Sequence, residues 1–272
     1  MDQWPSAGAI DVKDLSVRYS KKSDPVLRNV SFSIRGGEKI GIVGRTGAGK
    51  STLSLALFRI IEHDLITGTL SIDNIDTANL SLHTLRSNMT IIPQDPVLFT
   101  GSVRTNLDPF GVVPDADLWT ALRRSRFLAS LADDNGDEAA FSLESAVAEN
   151  GGNFSQGQRQ LLCLARALLR RSRIVVLDEL RATASVDDRT DAAIQESIRT
   201  EFKNCTVLCV AHRLRTVADY DRILVLDDGR VVELGTPHAL LQKPDGWFRR
   251  MCEETADLSA LVELAGQAAG RN

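Results

Sequence analysis

The chain has 272 residues, 43% of them hydrophobic and 25% charged, enough apolar sequence for one large domain or two small ones around a buried core. A formal net charge of −4 lacks the basic balance that a nucleic-acid footprint needs, so no nucleic acid is expected as a partner. The four cysteines (Cys163, Cys205, Cys209, Cys252) form no CxxC pair and read as buried thiols, not as metal ligands or a disulfide framework. The start, MDQWPSAGAID, has acid and proline where a leader peptide has base and then apolar residues. No apolar run approaches a membrane span, so the chain is expected to be soluble when expressed alone.

Alternating apolar and polar residues in AIDVKDLSVRY and VLRNVSFSI predict two half-buried strands, which pair antiparallel in a small sheet of their own. EKIGIVG is a compact apolar strand ending in glycine, and STLSLALFRII carries apolar residues at helical spacing. Further strands are expected in GTLSIDNI, NMTIIPQ, RIVVLD, NCTVLCVAH and DRILVLDDGRVVEL. Residues 103–171 break this rhythm with helical patterns in RTNLDPF, ADLWTALRRSRFLASLA and QGQRQLLCLARALLRR, and look like a helical insertion. EETADLSALVELAGQAAGRN closes the chain as an amphipathic helix fraying into small residues. Strands alternating with helices imply an α/β fold with a mainly parallel sheet covered on both faces.

GRTGAGKS, Gly44 to Ser51, fits GxxxxGK[ST] between a predicted strand and a predicted helix, the context that this phosphate-binding loop requires. The glycines let the backbone amides of Gly44, Arg45, Thr46, Gly47, Ala48 and Gly49 turn toward an anion, and the helix start adds its dipole. Lys50 reaches the β and γ phosphates, the Ser51 hydroxyl binds Mg²⁺, and Thr52 continues the helix near the α-phosphate. The pattern is that of a P-loop NTPase with ATP and Mg²⁺ as ligands. IVVLD places Asp178 at the carboxyl end of a buried strand, where it can hold the metal through water. Glu179 beside it can polarise an attacking water. Gln94 and His212 end two further strands. Either is ordinarily a turn or structural residue, but both fall on the sheet edge that carries the phosphate site.

In GGNFSQGQRQLLCLARALL, Ser155 can cap a helix and Gly157 lets its amide end approach an anion. Here the chain resembles the nucleotide-binding domain of ABC transporters, whose LSGGQ signature sits at this point. The resemblance runs from about Ile10 to Leu241 and takes in Tyr19, the phosphate loop, Gln94, the signature, IVVLDE, SVD and His212 in family order. WPSAGAIDVKDLSVRY, GEKIGIVGRTGAGKSTL and TIIPQDPVLFTGSVRTNLDPF are most similar to the second nucleotide-binding domain of subfamily C, the multidrug-resistance-associated type.

The resemblance implies a P-loop core at residues 10–95 and 172–245, a small antiparallel β subdomain, a helical subdomain at 96–171, and a C-terminal helix and tail at 246–272. It implies a head-to-tail dimer with a second such domain, two ATP molecules between them, and transmembrane domains outside this chain. Those domains would hold it at the cytoplasmic face of a membrane and couple ATP hydrolysis to export of organic anions or conjugates. By the same resemblance Tyr19 stacks on adenine, Gln94 senses the metal and faces the membrane domains, and Glu179 is the general base. His212 contacts the γ-phosphate, Ser155, Gly157 and Gln158 address the partner's ATP, and Asp187 crosses the dimer seam.

Two departures modify these expectations. The signature reads FSQGQ, with Phe154 for leucine and Gln156 for the first glycine, so a side chain stands where backbone should approach phosphate. The site that this chain completes for its partner is then the weak one, and the chain alone should hydrolyse ATP slowly. Leu180 and Arg181 lengthen the loop between Glu179 and Asp187 by two residues relative to the family. Anchoring on ATASVD would put Leu180 and Arg181 where the carboxylates belong, whereas anchoring on the strand keeps Asp178 and Glu179. The strand is preferred, because shifting it would bury Asp178 inside the sheet. The extra pair spans up to about 7 Å, and misplacement of about 1 Å can cost 10²-fold in rate. An ATP-binding regulatory domain with impaired hydrolysis is therefore the rival reading; a soluble ABC ATPase of repair or translation fits the exporter-like LDPF stretch less well.

Overall fold

A computed structural model of the protein describes residues 4–93, 95–133, 141–178, 188–211, 213–255 and 258–270. The chain divides into two compact units. The first holds the described parts of residues 1–89, 173–179 and 204–272, and the second those of 90–172 and 180–203.

The first unit opens with β1 (Ile10–Val17), β2 (Leu27–Ile34), β3 (Lys39–Val43), α1 (Lys50–Leu57), β4 (Ile66–Ile72), β5 (Ile75–Asp76) and α2 (Leu82–Ser87). Along β6 (Met89–Ile92) the chain passes into the second unit. There it forms β7 (Gly101–Ser102), α3 (Val103–Leu107), α4 (Asp115–Arg124), α5 (Phe127–Asp133), β8 (Ala146–Val147) and α6 (Gln156–Arg170). It returns to the first unit as β9 (Ile174–Asp178), gives α7 (Asp188–Glu201) to the second, and comes back as β10 (Thr206–Val210). Then follow α8 (Leu214–Val217), β11 (Arg222–Asp227), β12 (Arg230–Gly235), α9 (Pro237–Leu241), α10 (Trp247–Glu253) and α11 (Leu258–Ala269).

The expected antiparallel sheet is present and larger than its two opening strands. Its order is β2-β1-β4-β5, with Ile10 opposite Ile34 on one side and Ile72 on the other. GTLSIDNI therefore belongs here. The main sheet of the first unit runs β12-β11-β3-β10-β9, parallel from β11 to β9. All five residues of β10 and the first four of β9 are buried, which is why they read as unbroken apolar runs. DRILVLDDGRVVEL is a hairpin whose turn, Asp228-Gly229, has positive φ at both residues, the geometry that Asp-Gly favours; it leaves β12 as an antiparallel edge.

Two helical expectations are cut short. STLSLALFRII remains helical only to Leu57, because Arg59 turns left-handed at φ 48°. The Ile60 amide bonds to the Leu55 carbonyl and the Arg59 amide to that of Ala56, a Schellman ending. The Arg59 guanidinium, donating to the Thr77 and Leu80 carbonyls at 2.9 and 2.7 Å, offsets the strain of a non-glycine there. ADLWTALRRSRFLASLA is two helices, broken where Arg126 adopts φ 62°. The break lets Phe127 enter the core of the second unit against Phe141 and Phe154.

Helix α7 groups with the second unit. It packs on α6, and its Glu196 and Glu201 pair with Arg126 and Arg124. In the first unit the Asp73 carboxylate accepts from the amides of Ala7, Gly8 and Ala9 at 2.9, 3.1 and 2.8 Å, and the Trp4 indole donates to the Ile72 carbonyl. These contacts form a clamp that ties residues 4–9 to the end of β4. Asp73→Ala removes three charge-assisted bonds and should lower stability by about 1–3 kcal/mol, measured by urea denaturation; an unchanged midpoint would show the clamp to be inert.

Candidate functional site

The phosphate loop connects the buried end of β3 to α1. Gly44 has φ +156°, and a Cβ there would lie 2.2 Å from the Leu226 carbonyl oxygen. Gly49, the residue before the helix, has φ +103°, and its Cβ would lie 2.6 Å from a Leu27 methyl carbon. Both positions exclude any side chain. Gly49 supplies no side-chain cap and the first turn holds no acidic residue, so the start of the eight-residue α1 keeps its amides and positive dipole end for a ligand.

Lys50 is only 6% exposed. Its ammonium donates to the carbonyls of Gly44 at 2.8 Å and Arg45 at 3.2 Å, lying along the inside of the loop. No carboxylate pairs with it among the described residues, and burial pushes its pKa down. A buried cation against a glycine-lined backbone concavity is an anion site. Ser51 is exposed at the helix start, while Thr52 is buried with its hydroxyl 3.0 Å from the Tyr19 hydroxyl. Tyr19 is half-exposed and stands beside the loop with its ring available for stacking.

Strand pairing places Asp178 in line with the loop. Asp178 is opposite Val210 and Val210 opposite Ile42, so Asp178 lies two strand spacings, roughly 9.5 Å, from the end of β3. Burial raises its pKa, and no ion pair of the protein compensates it among the described residues. Asp178 is a partly buried carboxylate and Ser51 an exposed hydroxyl, oxygen donors of the kind that would suit a hard divalent cation. Glu179 directly follows Asp178. Glu179, Gln94, His212, Leu180, Arg181 and Asp187 lie outside the described residues.

In the second unit, Ser155 and Gln158 form a reciprocal capping box at the start of α6. The Ser155 hydroxyl accepts from the Gln158 amide at 3.2 Å, and the Gln158 side-chain oxygen accepts from the Ser155 amide at 2.9 Å. Gln158 is thus buried as the internal half of a cap, while Ser155 stays exposed and Gly157 is buried. The S-x-x-Q spacing carries this signal in the sequence. Phe154 packs edge-on against Phe127, and the Gln156 side chain meets Arg159. Both departures from the signature are therefore tied into their own unit.

Residues 27–182, more than half of the chain, match the ABC transporter family. The chain belongs to the ABC transporter family. It is 48% identical over 274 residues to a pleiotropic ABC efflux transporter of multiple drugs from Candida glabrata, covering 97% of this chain and 16% of that protein. It is 48% identical over 282 residues to the ATP-dependent bile acid permease of Saccharomyces cerevisiae, covering 98% and 17%. With ATP-binding cassette sub-family C member 3 of Rattus norvegicus it shares 50% identity over 238 residues, 88% of this chain and 15% of that one. Among solved structures, a bacterial Atm1-family ABC exporter with ATP bound superposes with a TM-score of 0.80 at 31% identity, covering 92% of this chain and 42% of that one.

The chain is thus an ABC ATPase domain of the P-loop fold, with subfamily C relatives, and spans about a sixth of the length of those curated relatives. No helix among the described residues of this ABC domain is long and apolar enough to cross a membrane. Ser155→Ala should destabilise α6 by about 1 kcal/mol through loss of the cap, read as faster amide exchange over the first turn of α6. Unchanged exchange there would mean that the capping box contributes nothing.

Proposed function

We propose that this ABC domain binds MgATP on the loop Gly44–Thr52 and hydrolyses it to drive export through transmembrane domains outside this chain. The buried Lys50, held on loop carbonyls without a carboxylate partner among the described residues, carries this reading. The loop amides and Lys50 bind the phosphates, and the Tyr19 ring stacks on adenine. Ser51 and Asp178, with Gln94, would hold Mg²⁺; when bound, the metal neutralises charge on the phosphate oxygens. Glu179 orients and deprotonates the attacking water, and His212 donates to the γ-phosphate.

The second unit serves a partner's nucleotide. Ser155 and Gly157 at the start of α6 face the triphosphate held by a second nucleotide-binding domain in a head-to-tail dimer, while Gln158 acts by fixing that helix start. Because Phe154 and Gln156 replace the leucine and glycine of the signature, this half-site is the weaker one. The chain's own loop works best against an intact LSGGQ, as expected of a second domain of subfamily C. Exposed Val97, Phe99, Phe110 and Val112 offer an apolar surface for the transmembrane partner at a membrane's cytoplasmic face. The names of the relatives, a multidrug efflux transporter and a bile acid permease, support organic anions or conjugates as cargo.

Lys50→Ala should weaken MgATP binding at least about tenfold by calorimetry, in line with loss of a charged hydrogen-bonding partner. Equal affinity would remove the phosphate reading. Mixed with a domain carrying LSGGQ, the chain should hydrolyse ATP faster than it does alone, with Glu179→Gln as the blank. Deletion of Leu180 and Arg181 should leave that rate within about threefold; activity gained only on deletion would favour the regulatory reading.

Asp178 adds a pH dependence. Its raised pKa means that it takes up its proton above the ordinary carboxylate value of about 4. Its contribution to metal binding is present above that raised pKa and lost as pH falls through it. The apparent Mg²⁺ requirement for ATP binding should therefore rise on acidification in the wild type, and Asp178→Asn should flatten this rise. A variant with the wild-type profile would exclude Asp178 from the metal site.

A further inference from the structure

The guanidinium of Arg45, the second residue of the phosphate loop, pairs with the Glu254 carboxylate at 3.0 Å across a sequence separation of 209 residues. Glu254 stands immediately after α10, a helix fixed to the first unit by fully buried Phe248 and Cys252 and by the Phe248 amide donating to Glu233 at 2.9 Å. Glu254 is the C-cap of α10, so the carboxylate that Arg45 meets stands at a helix end where a cation is favoured. Apolar packing does not replace this contact. A cavity of about 160 Å³ separates α10 from the loop, lined by Arg45, Leu226, Asp227, Trp247, Arg250 and Glu254 among others. Arg250, the other cation in that lining, pairs with Asp245 at 3.7 Å.

Arg45 also shapes the loop through its carbonyl, which accepts both the Ala48 amide at 3.1 Å and the Lys50 ammonium at 3.2 Å. The peptide that orients Lys50 is therefore carried by a residue tethered at its side-chain end to α10. We infer that Glu254 is a positioning residue for the phosphate loop, holding Arg45 so that the Arg45 carbonyl and Lys50 keep the geometry that receives ATP phosphates. This rests on the reading of the loop as the ATP site. Glu254 touches no phosphate and acts through Arg45. The pair is 68% and 63% exposed, so its effect is modest and salt-sensitive.

A double-mutant cycle on the full chain tests this, with MgATP affinity read by calorimetry at low and high salt. Glu254→Gln should weaken binding about two- to fivefold at low salt, with most of the loss gone by about 0.5 M salt. Arg45→Gln should weaken it similarly, and the double variant no further, because both substitutions remove one contact. In hydrolysis beside a partner domain the loss should fall on KM rather than kcat. A Glu254→Gln effect that persists in the Arg45→Gln background overturns the inference, as does unchanged affinity in a chain that binds ATP. Failure of the wild type to bind ATP overturns the loop reading instead.

Discussion

The structure depends most on a buried ammonium that the protein does not neutralise with a carboxylate of its own among the described residues. Lys50 is held by the carbonyls of Gly44 and Arg45, dipoles that orient it but cannot cancel its charge. Around it the chain is specialised at several points. Gly44 and Gly49 leave no room for a Cβ, and the Gly229 amide supports the Ala48 carbonyl from the β11–β12 turn. Burying a cation in this way costs stability until an anion arrives. A buried, uncompensated cation favours a multiply charged anion over a neutral ligand.

The sheet explains why the other groups gather at the same edge. Parallel pairing of β3, β10 and β9 brings the ends of three strands level, so that Ile42, Val210 and Asp178 form one row. The carboxyl ends of these strands thus lie side by side, the edge at which open α/β sheets hold their ligands. Among the described residues β9 runs Ile174–Asp178, with Asp178 at its carboxyl end.

Local patterns were legible and long-range partnerships were not. The glycine loop, the all-apolar β9 and β10 and the Asp-Gly hairpin could be read directly, because each is written in contiguous residues. Where the helices ended was less visible, since Arg59 and Arg126 are left-handed without being glycine and are held by contacts far along the chain. The α7 residues Glu196 and Glu201 pair with arginines seventy and 77 residues away, and no periodicity encodes that. The Arg45–Glu254 pair is likewise invisible to pattern. Gln158 is the opposite case: its S-x-x-Q spacing is in plain sight, and its side chain forms half of the cap of α6.

The most direct test of the account is amide hydrogen exchange across residues 44–52, with and without MgATP, in the whole chain. A triphosphate seated in the loop should slow exchange at Gly47 through Ser51, because those amides would pass from solvent to phosphate oxygens. Protection confined to this segment and the neighbouring end of β9 would confirm that the glycine loop and Lys50 form the phosphate site. No change there, in a chain that calorimetry shows to bind ATP, would place the nucleotide elsewhere and contradict the account at its centre.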